Sequence, residues 1–267
     1  MPKFPKIFKF KKLCRKLRRE KILTPYKILL YCNDTEQFKN ELNKLTKRSI
    51  EKISYLTKDQ ANSEDWFYFR KNVITGTLVK RIITAVKKDK NDLKINKAIT
   101  KKHYTKLYYP AILYGVKNEK EARNTFWQKF KKNHTQPYIK LLGFTLHSNF
   151  ILGGSPDFLY GCSCCENSVC VGEIKCPWKL RDLSVLENID KLEYITPEGK
   201  LKNIHSYMYQ VQTYLGILKL KKAKFIVWSK IDFLAIDIEF DPKIWSEILE
   251  TTEKYYFGTY LPHIFKK

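Results

Sequence analysis

The sequence predicts an α/β layered domain, and three observations support this fold class. Segments with helical period fill the first half of the chain. Short apolar or alternating runs bounded by turn residues follow at residues 141–176, and a helix, two strands and a last helix come after them. This order is typical of a sheet covered by helices. With 267 residues, the chain is long enough for one domain with a substantial core and an extension.

The first half of the chain predicts helices that follow a basic extension at residues 1–50, which itself contains short helical pieces. TKDQ at residues 57–60 has capping-box spacing and predicts the start of a helix through SEDWFYFRK. TGTLVKRIITAV repeats apolar residues at helical spacing, and residues 111–131 predict a long helix. Residues 89–103 are polar and lysine-rich, which predicts a solvated segment. We place the domain itself at residues 51–267.

The second half predicts the strands of one sheet and two further helices. The strands are predicted at LLGFTLHS, NFILGG, PDFLYG, VCVGEIKC, KFIVWSK and FLAIDIEF. HSYMYQVQTYLGILKL returns to helical period, and Asp241-Pro242 predicts the cap and first turn of a closing helix.

The charge balance predicts a polyanionic partner. The chain has 51 Lys and Arg against 27 Asp and Glu, and residues 1–22 contain ten of the basic residues and one acid. The rest of the chain is therefore still strongly basic, which indicates nucleic acid as the simplest partner. A lysine-rich solvated surface is the alternative. Because no run of 18 apolar residues exists, the sequence predicts no membrane span.

The N-terminus and the cysteines predict an intracellular, reducing compartment. The basic N-terminal segment lacks the apolar core of a secretory signal, and seven cysteines do not form a paired set. The segment fits a nuclear-type basic cluster, and hence the nucleus in a eukaryotic host, or a nucleic-acid arm. A mitochondrial presequence ranks last because the segment has no Ser or Thr.

Two carboxylates and a lysine predict a metal-dependent site. Glu173 and Lys175 are two apart on a predicted strand, so both side chains point to one face, and a hairpin would bring Asp157 beside Glu173. Adjacent carboxylates repel unless a proton or divalent cation lies between them, and Mg²⁺ prefers such ligands. Lys175 could then orient or help deprotonate an attacking water. The alternative is an ordinary Pro-Asp turn beside an exposed Glu-x-Lys strand.

Five sequence blocks resemble one nuclease family. They are similar to blocks of the lambda-exonuclease or YqaJ-type viral recombinase branch of the PD-(D/E)xK nucleases, and they come in the family's order. Along the chain, the blocks are DWFYFRKNVITGT, YGVKNEKEARNTF, GGSPDFL, EIKCPWKLRDL and YMYQVQTYL. The resemblance spans roughly residues 55–260. It implies a restriction-endonuclease-like core, in which a central mixed β-sheet is flanked by helices.

The resemblance also implies residue roles. The metal ligands would be the side chains of Asp157, Glu173 and Glu119 and the carbonyl of Ile174, with Glu121 as an alternative register for Glu119. Lys175 would serve the attacking water, and the remaining implied residues are Gln210 and Gln212, on the helix behind the site. Mg²⁺ would be the metal ion and Mn²⁺ its substitute.

Arg70 and Thr77 resemble the family's pocket for a 5′-terminal phosphate. A guanidinium can donate two parallel hydrogen bonds to phosphate oxygens, and a hydroxyl at a helix start adds a further donor. Gly76-Thr77 replaces the family's usual Ala-Ser, and threonine keeps the hydroxyl. An ordinary surface ion pair is the alternative for Arg70.

The implied function is a metal-dependent DNA exonuclease that degrades duplexes 5′→3′ in recombination or in viral or mobile-element DNA processing. Lambda-type members form ring-shaped trimers, so a homotrimer, duplex DNA ends and a single-strand annealing protein are the implied partners. An endonuclease of the same fold is the nearest alternative. A non-catalytic nucleic-acid-binding protein and a structural domain that acts through partners are the others.

A cysteine-rich turn lies inside the predicted hairpin. Cys162, Cys164, Cys165 and Cys170 could complete a zinc tetrahedron, but their spacing is not that of a standard zinc ribbon. Reduced cysteines on a surface turn are therefore favoured over zinc.

Overall fold

The computed structural model describes residues 21–89, 92–100, 109–166 and 169–266. Residues 1–20, which hold most of the predicted basic segment, lie outside the described residues. The described helices are α1 (Pro25–Leu29), α2 (Thr35–Leu42), α3 (Lys47–Leu56), α4 (Glu64–Phe69), α5 (Gly76–Lys87), α6 (Leu93–Thr100), α7 (Pro110–Lys131), α8 (Ser206–Leu218), α9 (Pro242–Tyr255) and α10 (Leu261–Phe265). None of these described helices combines the length and apolar character needed to cross a bilayer.

A five-stranded mixed sheet forms the centre of the fold. Its strands are β2 (Tyr138–Lys140), β5 (Phe158–Gly161), β6 (Cys170–Lys175), β7 (Lys222–Trp228) and β8 (Phe233–Glu239). They lie in the order β2-β5-β6-β7-β8. The β6–β7 pair is parallel and the other pairs are antiparallel. Helix α8 connects β6 to β7, as a parallel pair requires.

The predicted single sheet is wrong, because three short strands form a second sheet. Thr145–Leu146 (β3) and Leu152–Gly154 (β4) pair with each other, and Ile74–Thr75 (β1) adds to β4 in parallel. The order of this sheet is β1-β4-β3. It ends one residue before the Ser-Pro-Asp segment that enters β5, so it leads directly into the predicted site.

Helices cover both faces of the central sheet, which confirms the predicted fold class. On one face Val171, Phe225 and Val227 pack with Val211 and Leu215 of α8. On the other face lies a cluster with α7 whose members include Phe126, Phe158, Ile174, Ile226 and Trp228. Odd-numbered residues of β6 therefore face α8, and even-numbered ones face α7.

Two local expectations are wrong. Residues 57–60 do not cap a helix, because Thr57 ends α3 and its hydroxyl donates to the Ile53 carbonyl and accepts the N–H of Phe144. The next α-helix, α4, begins after Ser63, whose hydroxyl accepts the N–H of Asp65. Residues 89–103 are not simply solvated, because α6 buries Ile95 and Ile99.

The described part of residues 1–50 packs onto the rest of the molecule. Ile22, Ile28, Phe38, Leu42 and Leu45 are buried in the same hydrophobic cluster as α5 and α9. Asp241 caps α9 by accepting the N–H groups of Lys243 and Ile244, as predicted.

Candidate active site

The hairpin of β5 and β6 brings the two predicted carboxylates together. Phe158 pairs with Gly172, and continuing this antiparallel register by one residue sets Asp157 opposite Glu173. The backbone N–H of Ile174 donates to Asp157 Oδ2 at 2.6 Å. The ring of Phe158 lies so close to Gly172 that a Cβ there would collide with it, so the strand needs glycine at this position.

Glu173 and Lys175 share the face of β6 that looks toward α8. Glu173 is only 2% exposed, and its Oε1 accepts from Lys175 Nζ at 2.5 Å and from Gln210 Nε2 at 2.7 Å. Glu173 Oε2 is also buried, yet it has no hydrogen-bond partner among the described residues. A buried carboxylate oxygen without a donor is costly, so this atom is available for a cation.

Asp157, Glu173 and Glu119 form what we call the carboxylate cluster. Burial raises the pKa of Asp157 well above its usual value, and the charges of Glu173 and Glu119 raise it further. Burial also raises the pKa of Glu173, although Lys175 and Gln210 oppose the shift. The pKa of Glu119 is raised by burial and by Glu173, against the charge of Arg123. The fold therefore disfavours the ionised form of each of these carboxyls, and a bound divalent cation would relieve this.

Lys175 is held among the groups that it neutralises. Burial alone lowers the pKa of Lys175, but Glu173 and Asp157 outweigh burial and raise it above the usual value. The ammonium also lies 4.7 Å from the centre of the Tyr207 ring. Lys175 is thus fixed as a cation next to the carboxylate cluster.

Helix α7 delivers Glu119 to an open cleft beside the hairpin. Glu119 Oε1 accepts from Arg123 Nη1 at 3.3 Å, one turn further along the helix. The cleft has a volume of about 380 Å³ and is lined by both Glu119 and Asp157, with Lys58, Lys120 and Arg123 as its basic residues. Glu121, the alternative in the sequence, is exposed and does not line the cleft.

Only one of the two predicted glutamines reaches the site. Gln210 donates to Glu173 and also to the Tyr214 hydroxyl, at 2.6 Å. Gln212 instead donates to the Glu239 carbonyl and accepts the N–H of Asp241, so it connects α8 to the turn between β8 and α9. The structure does not bring Gln212 to the carboxylate cluster.

Arg70 is a cation without a carboxylate partner among the residues that the structure describes. Its guanidinium stacks 3.6 Å from the centre of the Trp66 ring, and its Nε is buried without an acceptor among the described residues. Burial lowers its pKa to about 10, and no acidic side chain contributes. The surface ion pair considered as an alternative is therefore wrong. Trp66 Nε1 donates to Ser155 Oγ at 2.8 Å, which sets this pair two residues from Asp157.

Thr77 is exposed in the first turn of α5, with its hydroxyl 3.2 Å from that of Thr75. Thr75 precedes the helix and makes no side-chain capping bond, so the first N–H groups are not capped by that side chain. Gly76 lies against the backbone of Gln210, and Arg70 interacts with Tyr214. Arg70 and the start of α5 thus flank the same turn of α8.

Two residues at this site have no predicted role from sequence. Tyr214 is buried, and its hydroxyl accepts a hydrogen bond from Gln210. Burial raises the pKa of Tyr214, the charges of Glu173 and Asp157 raise it further, and Arg70 opposes the shift. Trp66 provides the surface on which Arg70 lies. A signal for Tyr214 was present, because Gln210 and Tyr214 are four residues apart on a helix and share a face.

The cysteine turn assembles differently from the predicted set. Cys162, Cys164 and Cys165 come together with His134, whereas Cys170 is not part of the group. Cys170 is paired with Tyr160 across the hairpin, and its thiol interacts with the Tyr160 hydroxyl. Cys170, the fourth ligand in the zinc alternative that the sequence left open, is therefore not placed with the other three cysteines.

A mixed sheet flanked by helices, with Asp157, Glu173 and Lys175 on one hairpin, defines the class: the restriction-endonuclease-like nucleases of the PD-(D/E)xK type. The profile of the YqaJ-like viral recombinase domain matches residues 65–220. The chain therefore belongs to the YqaJ-like viral recombinase family.

Solved structures support the same fold. An alkaline exonuclease from Laribacter hongkongensis (LHK-Exo) is similar at 20% identity and a TM-score of 0.56, over 76% of this chain and 95% of that one. The shutoff and exonuclease protein of Kaposi's sarcoma-associated herpesvirus is similar at 12% identity and a TM-score of 0.54, over 86% and 77%. A SOX–DNA complex gives 12% identity and a TM-score of 0.56, over 86% and 76%. No curated protein matches the chain.

Proposed function

We propose that this protein is a Mg²⁺-dependent DNA exonuclease that hydrolyses phosphodiester bonds from the 5′ end of duplex DNA. Membership of the YqaJ-like family and the exonuclease neighbours support a DNA exonuclease of the lambda type. They do not favour the endonuclease, the inactive binding protein or the partner-dependent structural domain. The observation that carries the metal-dependent proposal is Glu173 Oε2, a buried oxygen without a donor in the described site.

The donor set fits a divalent metal ion. Asp157, Glu173 and Glu119 offer the hard carboxylate oxygens that Mg²⁺ and Mn²⁺ prefer, and the carbonyl of Ile174 would add a ligand. A bound ion would polarise the phosphate and lower the pKa of an attacking water. The raised pKa values of the three carboxyls support this assignment, because burial is their main cause and a bound divalent cation would favour the ionised form of each group.

Lys175 and Gln210 would complete the chemistry through Glu173. Both donate to Glu173 Oε1, so they fix the carboxylate, and Oε2 is left without a donor in the described site. The ammonium of Lys175 would orient the attacking water and offset negative charge that develops on the phosphate oxygens. Gln212 has no part in this proposal, because its amide is used at the turn before α9.

Arg70 and Thr77 would bind the 5′-terminal phosphate. The guanidinium of Arg70 has a buried Nε without an acceptor and no carboxylate partner in the described part of the chain, so it can bind an incoming phosphate, and charge-assisted pairs of this kind are strong. The uncapped start of α5 adds N–H donors and the hydroxyl of Thr77. The basic lining of the cleft, Lys58, Lys120 and Arg123, would contact the DNA backbone.

The test is cleavage of end-labelled duplexes in Mg²⁺ by the wild type, Glu173→Gln and Glu119→Gln. We expect Glu173→Gln to lower the rate by about 10³-fold or more, because a lost metal ligand removes most of the stabilisation of the transition state. Glu121→Gln is the matched control on α7, because Glu121 is exposed two residues from Glu119. Equal activity of Glu173→Gln and the wild type would reject the metal assignment.

The mode of attack is tested with linear and covalently closed circular DNA. An exonuclease degrades the linear form and leaves closed circles intact, whereas rapid loss of closed circles would reject the end-dependent assignment. Linear duplexes with and without a 5′ phosphate then test the pocket. A preference for the 5′ phosphate that disappears in Arg70→Met supports the role of Arg70 and the 5′→3′ polarity.

The family resemblance also supports two partners and a location. A homotrimer and a single-strand annealing protein are proposed on that basis, and light scattering of the full chain tests the trimer. None of the six described cysteines forms a disulfide, which supports a reducing intracellular compartment, and in a eukaryotic host the nucleus.

A further inference from the structure

We propose that His134, Cys162, Cys164 and Cys165 form a structural zinc site that fastens the tip of the β5–β6 hairpin to the segment that follows α7. This site is separate from the carboxylate cluster, and it does not depend on the proposed nuclease activity. The ligands would be the Nδ1 atom of His134 and three cysteine sulfurs, which is one of the common structural zinc sets.

Four of the six distances between the ligand atoms match the edges of a tetrahedron. His134 Nδ1 lies 3.3 Å from Cys162 Sγ, 3.5 Å from Cys164 Sγ and 3.4 Å from Cys165 Sγ. Cys162 Sγ and Cys164 Sγ are 3.5 Å apart, and all four atoms lie within 4.8 Å of one another. Zinc with its usual bond lengths sets nitrogen and sulfur about 3.5 Å apart and two sulfurs about 3.8 Å apart. The four individual distances agree with these edges within about 0.3 Å, and the two remaining sulfur–sulfur distances, both to Cys165, are no longer than 4.8 Å.

Other accounts of the cluster fit less well. A disulfide needs its sulfurs about 2.05 Å apart, so the Cys162–Cys164 distance is not a covalent bond. Hydrogen bonding alone also leaves the arrangement unexplained, because one ring nitrogen carries at most one proton and faces three sulfurs at once. A shared cation satisfies the three sulfurs and the nitrogen together.

Neighbouring groups hold the four ligands in place. The backbone N–H of Thr135 donates to Cys164 Sγ at 3.3 Å, a bond that orients a thiolate. The N–H and the hydroxyl of Ser163 both donate to the Thr135 carbonyl, which fixes the two chain segments side by side. The ring of His134 stacks on Phe130, with ring centres 4.0 Å apart.

The site would connect the two elements that carry the carboxylates. Phe130 lies in the last turn of α7, the helix that supplies Glu119, and Cys162 follows β5 directly. The opposite end of the same hairpin holds Asp157 and Glu173. Zinc would therefore restrict the movement of α7 relative to the hairpin without touching DNA.

The test is the zinc content of the full-length chain, purified in a reducing buffer from zinc-supplemented medium and measured by mass spectrometry. We expect about one tightly held zinc per chain in the wild type, and at least about a tenfold loss in the Cys164→Ser/Cys165→Ser double variant and in His134→Ala. Cys170→Ser is the matched control, because Cys170 lies in the same hairpin outside the ligand group. Wild-type zinc content in this variant supports the proposal.

A wild type without zinc would overturn the proposal, and so would loss of zinc in Cys170→Ser while His134→Ala retains it. Cobalt substitution of the wild type gives a readout that needs no variant to fold. Intense tetrahedral bands with sulfur-to-cobalt charge transfer are expected, and the weak spectrum of octahedral cobalt would contradict the site.

Discussion

Replacement of Arg70 by Met is expected to stabilise the folded protein while it removes the preference for a 5′ phosphate. Methionine keeps an unbranched apolar stem against Trp66 but removes the charge and the buried Nε. The two effects have one cause, since the guanidinium is kept in the fold without an anionic partner. A residue retained for binding rather than stability should behave in this way.

The structure gives the size of both effects. Burial lowers the pKa of Arg70 to about 10, and since part of the side chain stays accessible, the charge costs about 2 to 3 kcal/mol in the fold. The stacking of the guanidinium on Trp66 offsets about 1 kcal/mol of this cost. We therefore expect Arg70→Met to increase the free energy of unfolding by about 1 to 2 kcal/mol. Loss of a charge-assisted bond to phosphate should lower the 5′-phosphate preference by about 10- to 100-fold.

The assays are urea denaturation of the DNA-free protein and the ratio of cleavage rates on duplexes with and without a 5′ phosphate. Arg48→Met is the matched control, because Arg48 is exposed and should change neither quantity. A loss of stability of more than 1 kcal/mol in Arg70→Met would refute the burial argument. An unchanged rate ratio would refute the phosphate pocket.

Three further changes have expected outcomes. Gly154→Ala places a methyl group against the ring of Tyr214 and should lower the free energy of unfolding, measured by thermal denaturation, by about 1–3 kcal/mol. At Gly115, a Cβ meets no atom within 4 Å, so Gly115→Ala should stabilise α7 by about 0.5–1 kcal/mol. Gln210→Leu should reduce the cleavage rate with little change in the stability of the β8–α9 turn. Gln212→Leu should lower the free energy of unfolding by about 1–3 kcal/mol yet leave the cleavage rate per folded molecule unchanged. Reversed outcomes would contradict the placement of the two amides. The raised pKa values of the carboxylate cluster favour protonation in the fold, so their stabilisation is present below about pH 4 and is lost as pH rises through the raised values. In Mg²⁺-free buffer without chelator, the free energy of unfolding should fall as the pH rises above about 4, and Mg²⁺ should restore stability most at the highest pH. Equal Mg²⁺ effects at low and high pH would contradict this.

The hairpin was predictable because the period of a strand is short and strict. Side chains two residues apart on β6 must share a face, so Glu173 and Lys175 could be placed together from the sequence. The same kind of argument was available for the glutamines. Residues two apart on a helix point to roughly opposite sides, so Gln210 and Gln212 could not both face the sheet.

Contacts between distant segments could not be predicted. The strand β4 pairs with β1, which lies far earlier in the chain, so local pattern gave no sign of a second sheet. His134 joins cysteines that follow it by 28 residues or more, and ligand spacing within the cysteine turn cannot reveal a partner from outside it. The lysine-rich composition of residues 89–103 predicted a solvated segment. The structure has a helix there, and Ile95 and Ile99, four residues apart, bury one face of it.

The alternation of β6 also decides which changes in chain length the protein can tolerate. Glu173 and Ile174 point to opposite faces, the first toward Gln210 and the second into the aromatic cluster around Phe126. A single inserted or deleted residue within the paired part of the hairpin would exchange them, burying an acid among phenyl rings and leaving an apolar side chain in the carboxylate cluster. Over evolution, length variation should therefore collect outside this ladder.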